Sequence, residues 1–291
     1  MSTLDLRPLS IGELLDRTFS LYRRNFPLFI GISAIPHLLV LGLQLTQLAF
    51  TTTRFPIVPA STDFQARASS FSAGDLLSIA AFGILGIIVG VVAYLFSQGG
   101  TVFAVSELYL GRTTTIGQSL GRVRGEMISL FFVVFFSILA TGVAFLFLII
   151  PAIYVACRLC VCVPAALLEN LGPFDALDRS YKLTKDNAGR AFLILLLYAV
   201  LWYGSLGLIT VPFIFAIQSA AHDPGMIRVW TALMQVASFC ANVLVTPVLT
   251  IASSIFYFDL RIRKEAFDLQ MMMAPLAGGV PVPRNPATIL S

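Results

Sequence analysis

Charge is scarce in these 291 residues: Asp, Glu, Lys and Arg together make up 12%, about half the ~25% of an ordinary soluble domain. Histidine is scarcer still, with only His37 and His222. Two distant histidines with no carboxylate cluster supply neither a metal-holding set nor an acid/base pair for phosphodiester hydrolysis. No Gly-Lys-Ser/Thr phosphate loop and no dinucleotide-binding glycine pattern is present, which removes the common nucleotide chemistries. The four cysteines, Cys157, Cys160, Cys162 and Cys240, all sit inside apolar runs. The first three have a metal-like spacing, but no distant Cys or His pair completes four ligands. Free cysteine is otherwise a small apolar side chain, so no metal and no cofactor is expected. The start of the chain lacks the short apolar core and small-residue cleavage site of a signal peptide. Its second residue is Ser2, where myristoylation requires glycine.

What is abundant is apolar: 57% of the residues, with a mean hydropathy of +0.88. The apolar residues come in long continuous runs, whereas a transmembrane barrel shows ~10-residue alternating segments. The expected fold class is therefore all-α, a polytopic transmembrane helix bundle. The net charge of +4 does not point to nucleic acid, because basic residues flanking membrane spans are the ordinary pattern. Residues 1–270 read as one transmembrane domain. Residues 271–291, rich in Pro and Gly and poor in charge, read as a disordered cytoplasmic tail.

One stretch organises the chain, SIGELLDRTFSLYRRNF at 10–26. Ile11, Leu14, Leu15, Thr18, Phe19 and Tyr22 fall at helical spacing on one side, and Glu13, Asp16, Arg17, Arg23 and Arg24 on the other. Variants return as TIGQSLGRVRGEM at 115–127 and PFDALDRSYKLTKDN at 173–187. Aligned without gaps, Arg17, Arg122 and Arg179 coincide. The reading is three units, each an amphipathic surface helix followed by two spans. Six spans are predicted: Phe26–Phe50, Asp75 to about Ser106, two within Met127–Glu169, Arg190 to about Gln218, and Arg228–Phe258. Pro36 and Pro247 are expected to interrupt the first and last, and Thr51–Ala73 and the His222 turn to lie outside. Gly83, Gly86, Gly90, Gly99 and Gly100 are expected to let neighbouring helices approach closely.

Met127–Glu169 needs division. Its 43 residues would reach ~64 Å as one helix, against ~30 Å of hydrocarbon. A break is placed at Ile149–Pro151, with no polar turn, so that the hairpin tip can sit within the membrane. Six crossings put fifteen of the nineteen Lys and Arg residues on one side. The positive-inside rule then makes that side cytoplasmic, with both termini there.

The segments LSIGELLDRTFSLYRRNF (9–26), LENLGPFDALDRSYKLTKDN (168–187) and FYFDLRIRKEAFDLQ (256–270) resemble a prokaryotic family of polytopic proteins, the membrane domain of glycerophosphoryl diester phosphodiesterases. The likeness runs from about Arg7 to Gln270. It implies a multi-pass protein of a prokaryotic cytoplasmic membrane. Some family members carry a fused catalytic barrel; these 291 residues contain none, so the phosphodiesterase activity does not carry over.

Two constellations are candidate sites. Glu107, Glu169 and Asp259 each close the second span of a unit at the expected cytoplasmic edge, either as interface salt bridges or as substrate ligands. Arg158 is the one basic residue placed within the hydrocarbon, where an ionisable side chain marks function by default; a water-filled cavity or broken-helix carbonyls are expected to satisfy it. Arg17, Arg23, Arg24, Arg122, Arg124, Arg179 and Lys182 are candidate contacts with the lipids of an anionic inner leaflet. Three functions follow: a non-enzymatic lipid-interacting scaffold or accessory component of a membrane or envelope system, then a small-solute or lipid transporter using Arg158, and last an enzyme on lipid head groups.

Overall fold

A computed structural model of the chain describes residues 9–54, 72–220 and 223–265. Helices are the only regular elements among those residues, in the order α1 (Ile11–Arg24), α2 (Phe26–Arg54), α3 (Ala73–Tyr109), α4 (Ile116–Phe147), α5 (Ile149–Leu159), α6 (Cys162–Glu169), α7 (Pro173–Leu183), α8 (Ala188–Ser219) and α9 (Pro224–Glu265). Six segments are long and apolar enough to cross a membrane, with α5 and α6 together forming the fourth. The protein is a multi-pass membrane bundle. The predicted loop at 51–73 falls largely outside the described residues, as do His222 and the 271–291 tail.

The helix starts explain part of the sequence recurrence. Ser10 Oγ accepts from the Glu13 amide at 3.3 Å, and the Glu13 carboxylate accepts from the Ser10 amide at 2.7 Å. Thr115 and Gln118 repeat this reciprocal cap at the start of α4. Both satisfy amides that the first helical turn leaves without partners. The third copy differs: α7 starts at Pro173, which has no amide hydrogen to satisfy, and Gly172 provides no side-chain cap.

The three copies also end differently. Asn25 closes α1, and Asp186, at φ 72°, lies in the turn between α7 and α8. No such turn follows the second copy, and α4 runs unbroken from Ile116 through the span to Phe147. The expected separate second surface helix is thus the first three turns of a longer one.

Leu148 is extended (φ −172°, ψ 163°) between α4 and α5, which places the hairpin break one residue before the expected Ile149–Pro151, with Pro151 in the first turn of α5. The tip is wholly apolar and exposed, with Leu146 at 82%. A second break follows at 160–161, so the fourth crossing is two short helices rather than one. Neither Pro36 nor Pro247 interrupts its helix. Membrane helices tolerate proline where neighbouring groups satisfy the freed backbone. The Tyr22 hydroxyl donates to the Leu244 carbonyl at 2.9 Å, one turn before Pro247.

Packing is concentrated at one end. Residues 250–260 of α9 are all buried, among Leu9, Leu14, Phe29, Ile32, Ala104, Val105, Val161, Ala165 and Leu183. Leu9 meets Asp259 while Tyr22 meets Leu244, so α1 runs antiparallel beside α9 for ~22 Å. The same contact sets the start of α1 beside the end of α9. At the opposite end the helices present apolar side chains outward, as with Leu208 at 79% exposure.

The glycines divide along the same line. A Cβ on Gly99 would meet Val123 at 3.0 Å, and one on Gly100 would meet Ile32 at 2.9 Å and Leu120 at 3.1 Å. Gly83, Gly86 and Gly90 face open space, so the close approach expected there occurs only at the Gly99–Gly100 pair. Gly100→Val is therefore expected to lower stability by about 1–3 kcal/mol through overpacking. Gly86→Val should leave it unchanged, as read by thermal unfolding in detergent.

Candidate functional site at the polar end of the bundle

The three acids that close the second helices all lie at the packed end, and each is engaged by the chain itself. Glu107, at the end of α3, accepts from Arg122 Nη1 at 2.6 Å, with Arg112 at 3.8 Å. Glu169, at the end of α6, receives Arg179 Nε at 2.9 Å and the Tyr257 hydroxyl at 2.7 Å. Arg179 also pairs with Glu265, which in turn holds Arg261 at 3.0 Å. Burial opposes the charge on Arg179, but Glu169 and Glu265 outweigh that cost and hold its pKa above the ordinary arginine value. In both cases the acid takes the arginine of the next polar helix, and those two arginines are the ones the gapless alignment brings into register.

Asp259 does something different. Its carboxylate is fully buried and accepts the Leu9 amide at 2.7 Å, Arg190 at 2.8 Å and Arg263 at 3.0 Å. The same two arginines donate to the Leu9 carbonyl, at 2.5 Å from Arg190 and 2.6 Å from Arg263. Both backbone groups of Leu9 are thereby held by charged partners. Leu9 immediately precedes the Ser10 cap, so the clasp fixes where α1 begins. Arg263 was readable four residues beyond Asp259, on the same helix face. Arg190 and Leu9 lie 69 and 250 residues from Asp259, and no local pattern marks them.

Arg158 stands apart from all three acids. It occupies the last turn of α5 and is 4% exposed. Its guanidinium carbon lies 3.7 Å from the centre of the Tyr181 ring and 5.8 Å from that of Tyr154. The Ser180 and Thr184 hydroxyls donate to its carbonyl at 2.8 and 3.0 Å, pinning α7 against the α5–α6 break. Among the described residues no carboxylate pairs with Arg158, and its Nε has no hydrogen-bond partner. The broken helix thus lies beside Arg158, but it is aromatic faces that meet the guanidinium. A desolvated cation costs several kcal/mol, whereas a buried cation–π contact returns roughly 2. The partial negative charge at the end of α5 adds to the balance.

The remaining expected residues sort by exposure. Arg122 and Arg179 are tied into the bundle, and Lys182 pairs with Asp178 at 2.5 Å on the exposed side of α7. Arg23, Arg24 and Arg124 are exposed, and Arg17 is partly buried on α1. His37 is hydrogen-bonded to the Ser33 carbonyl at 2.8 Å, one turn back. Among the described residues, no three His, Cys, Asp or Glu side chains converge as metal ligands. Two cavities of about 10 and 20 Å³ lie along the α8–α9 seam, lined by groups such as Tyr198, Val248, Trp202 and Asn242. Each has room for a single water at most, and neither reaches Arg158 or the three acids.

Asp259→Ala would strand Arg190 and Arg263 together with the Leu9 amide. A loss of about 3 kcal/mol is expected, while Asp178→Ala, in an exposed pair, should cost well under 1 kcal/mol. Denaturant titration of the two variants in the same detergent checks the contrast. Comparison with known protein families, curated proteins and solved structures finds no match to this chain.

Proposed function

We propose that this protein is a non-enzymatic, lipid-interacting scaffold or accessory component of a prokaryotic cytoplasmic membrane. The observation that carries this reading is the engagement of Glu107, Glu169 and Asp259 in links between helices. None of them faces either seam cavity, and those cavities have no room for a solute. The polar end is a structural joint in this reading. It gathers Arg122, Arg179, Arg190, Arg261, Arg263 and Lys264, while Arg228 lies at the far end of α9. That asymmetry supports a cytoplasmic polar end and cytoplasmic termini.

In this reading the recurrent polar segments at 10–26, 115–127 and 173–187 are one amphipathic device used three times, each seating a span at the inner surface. Exposed Arg23, Arg24, Arg124 and Lys182 then meet an anionic leaflet, where each contributes about 1 kcal/mol of attraction. The resemblance to phosphodiesterase membrane domains agrees with a role in lipid surroundings and adds no catalysis. A transporter is the second reading, favoured by one observation: a helix break beside the buried, unpaired Arg158.

Proteoliposomes separate the two. Reconstituted protein is expected to pass neither glycerol phosphates nor fluorescent phospholipid faster than protein-free vesicles. Flux that Arg158→Gln abolishes, with the protein still folded, would establish transport and end the scaffold reading.

A further inference from the structure

The unpaired cation at the α5–α6 break has a surface leading to it. Ile150, Tyr154 and Arg158 follow one another at four-residue spacing on α5, one stripe of the helix. Ile150 is 74% exposed and Tyr154 49%, while Arg158 is buried. The stripe therefore runs ~12 Å from open apolar surface to a desolvated guanidinium. Leu146 and Phe147 continue the apolar surface around the hairpin tip.

The charged end of the stripe lies at the level of the polar end. Ser180 and Thr184 bind the Arg158 carbonyl, and α7 is joined to the end of α9 by Lys264, which donates to the Lys182 and Lys185 carbonyls at 3.0 and 2.8 Å. Tyr181 covers the guanidinium and is itself 48% exposed. A half-exposed ring can turn aside without unpacking a core. Neighbouring cations at this end, Arg122, Arg179, Arg190 and Arg263, each have a carboxylate. Arg158 has an aromatic cover and an unfilled Nε instead.

We infer that Arg158, with Tyr181 and Tyr154, takes the phosphate of an anionic glycerophospholipid, whose acyl chain lies along the Tyr154–Ile150 stripe of α5. The guanidinium fork suits phosphate oxygens, and the stripe is the reason for a lipid over free phosphate. This assignment rests on the lipid-interacting reading above and names its site. It is read by binding, whereas that reading is read by flux, so either can fail alone.

The test titrates the full chain in detergent with phosphatidylglycerol, with diacylglycerol and with inorganic phosphate, following bound lipid by native mass spectrometry and the unfolding temperature in parallel. Phosphatidylglycerol is expected to bind at least tenfold tighter than diacylglycerol and to raise the unfolding temperature. Arg158→Gln should remove that preference, Tyr181→Leu should weaken binding severalfold, and Arg228→Gln, at the far end of α9, should change it less than twofold. If Arg158→Gln does not fold, the Tyr181→Leu loss and the wild-type preference decide the matter. Equal binding of the two lipids by the wild type overturns the proposal, as does an equal effect of Arg228→Gln and Arg158→Gln. Stabilisation by inorganic phosphate matching that by phosphatidylglycerol overturns the lipid assignment in favour of a free anion.

Discussion

One buried carboxylate ties this bundle together. Asp259 receives the first described amide of the chain, an arginine from the start of α8 and an arginine from its own helix. Three parts of the sequence that share no local pattern meet on its two oxygens. Such a group is costly to bury and is stable only when every lone pair is used. Here the arginines return to the Leu9 carbonyl, so the backbone as well as the side chains is satisfied. The position of α1 along α9 depends on that closure.

The rest of the fold follows from where polar groups can be placed in a membrane chain. Lipid tails are as apolar as leucine, so apolar side chains gain little by leaving lipid for one another. Polar groups have no such alternative and must find partners within the chain. The polar end is accordingly the packed end: Ser33 meets Ser97 at 3.0 Å, Thr250 donates to Gln98 at 2.6 Å, and the hydroxyls of α7 cap the α5 break. Toward the opposite end Thr46, Thr210, Thr231 and Asn242 bond to carbonyls one turn back in their own helices, and the leucines and isoleucines face outward. The two ends of one bundle thus obey different rules.

Much of this was legible in the sequence because it depended on length and spacing. The six crossings and the need for a break within Met127–Glu169 follow from apolar run lengths, and the fold class from the absence of alternating segments. The pairing of Glu107 with Arg122 and of Glu169 with Arg179 could be anticipated because acid and arginine lie within fifteen residues of each other. What escaped was long-range or conformational. The Leu9–Asp259–Arg190 clasp spans most of the chain. Proline alone does not reveal whether a helix will break: Pro36 and Pro247 did not break theirs, while Pro164 stands in the first turn after the break at 160–161, as Pro151 does after the one at Leu148. Glycine spacing does not reveal which helix face has a neighbour, so Gly83, Gly86 and Gly90 read like Gly99 and Gly100. Arg158 was identifiable as an anomaly, yet its partner, a tyrosine 23 positions away on a different helix, carried no signal.

The central claim is that the polar end is a locked joint whose closure runs through Leu9 and Asp259. Hydrogen exchange of the Leu9 amide tests it most directly. This amide, ahead of the first helix and outside any helical ladder, should exchange as slowly as the buried amides of residues 250–260. Asp259→Asn should release it by at least a hundredfold while those helical amides stay protected. Rapid exchange of the Leu9 amide in the unaltered protein, on the timescale of an open chain end, would contradict the account.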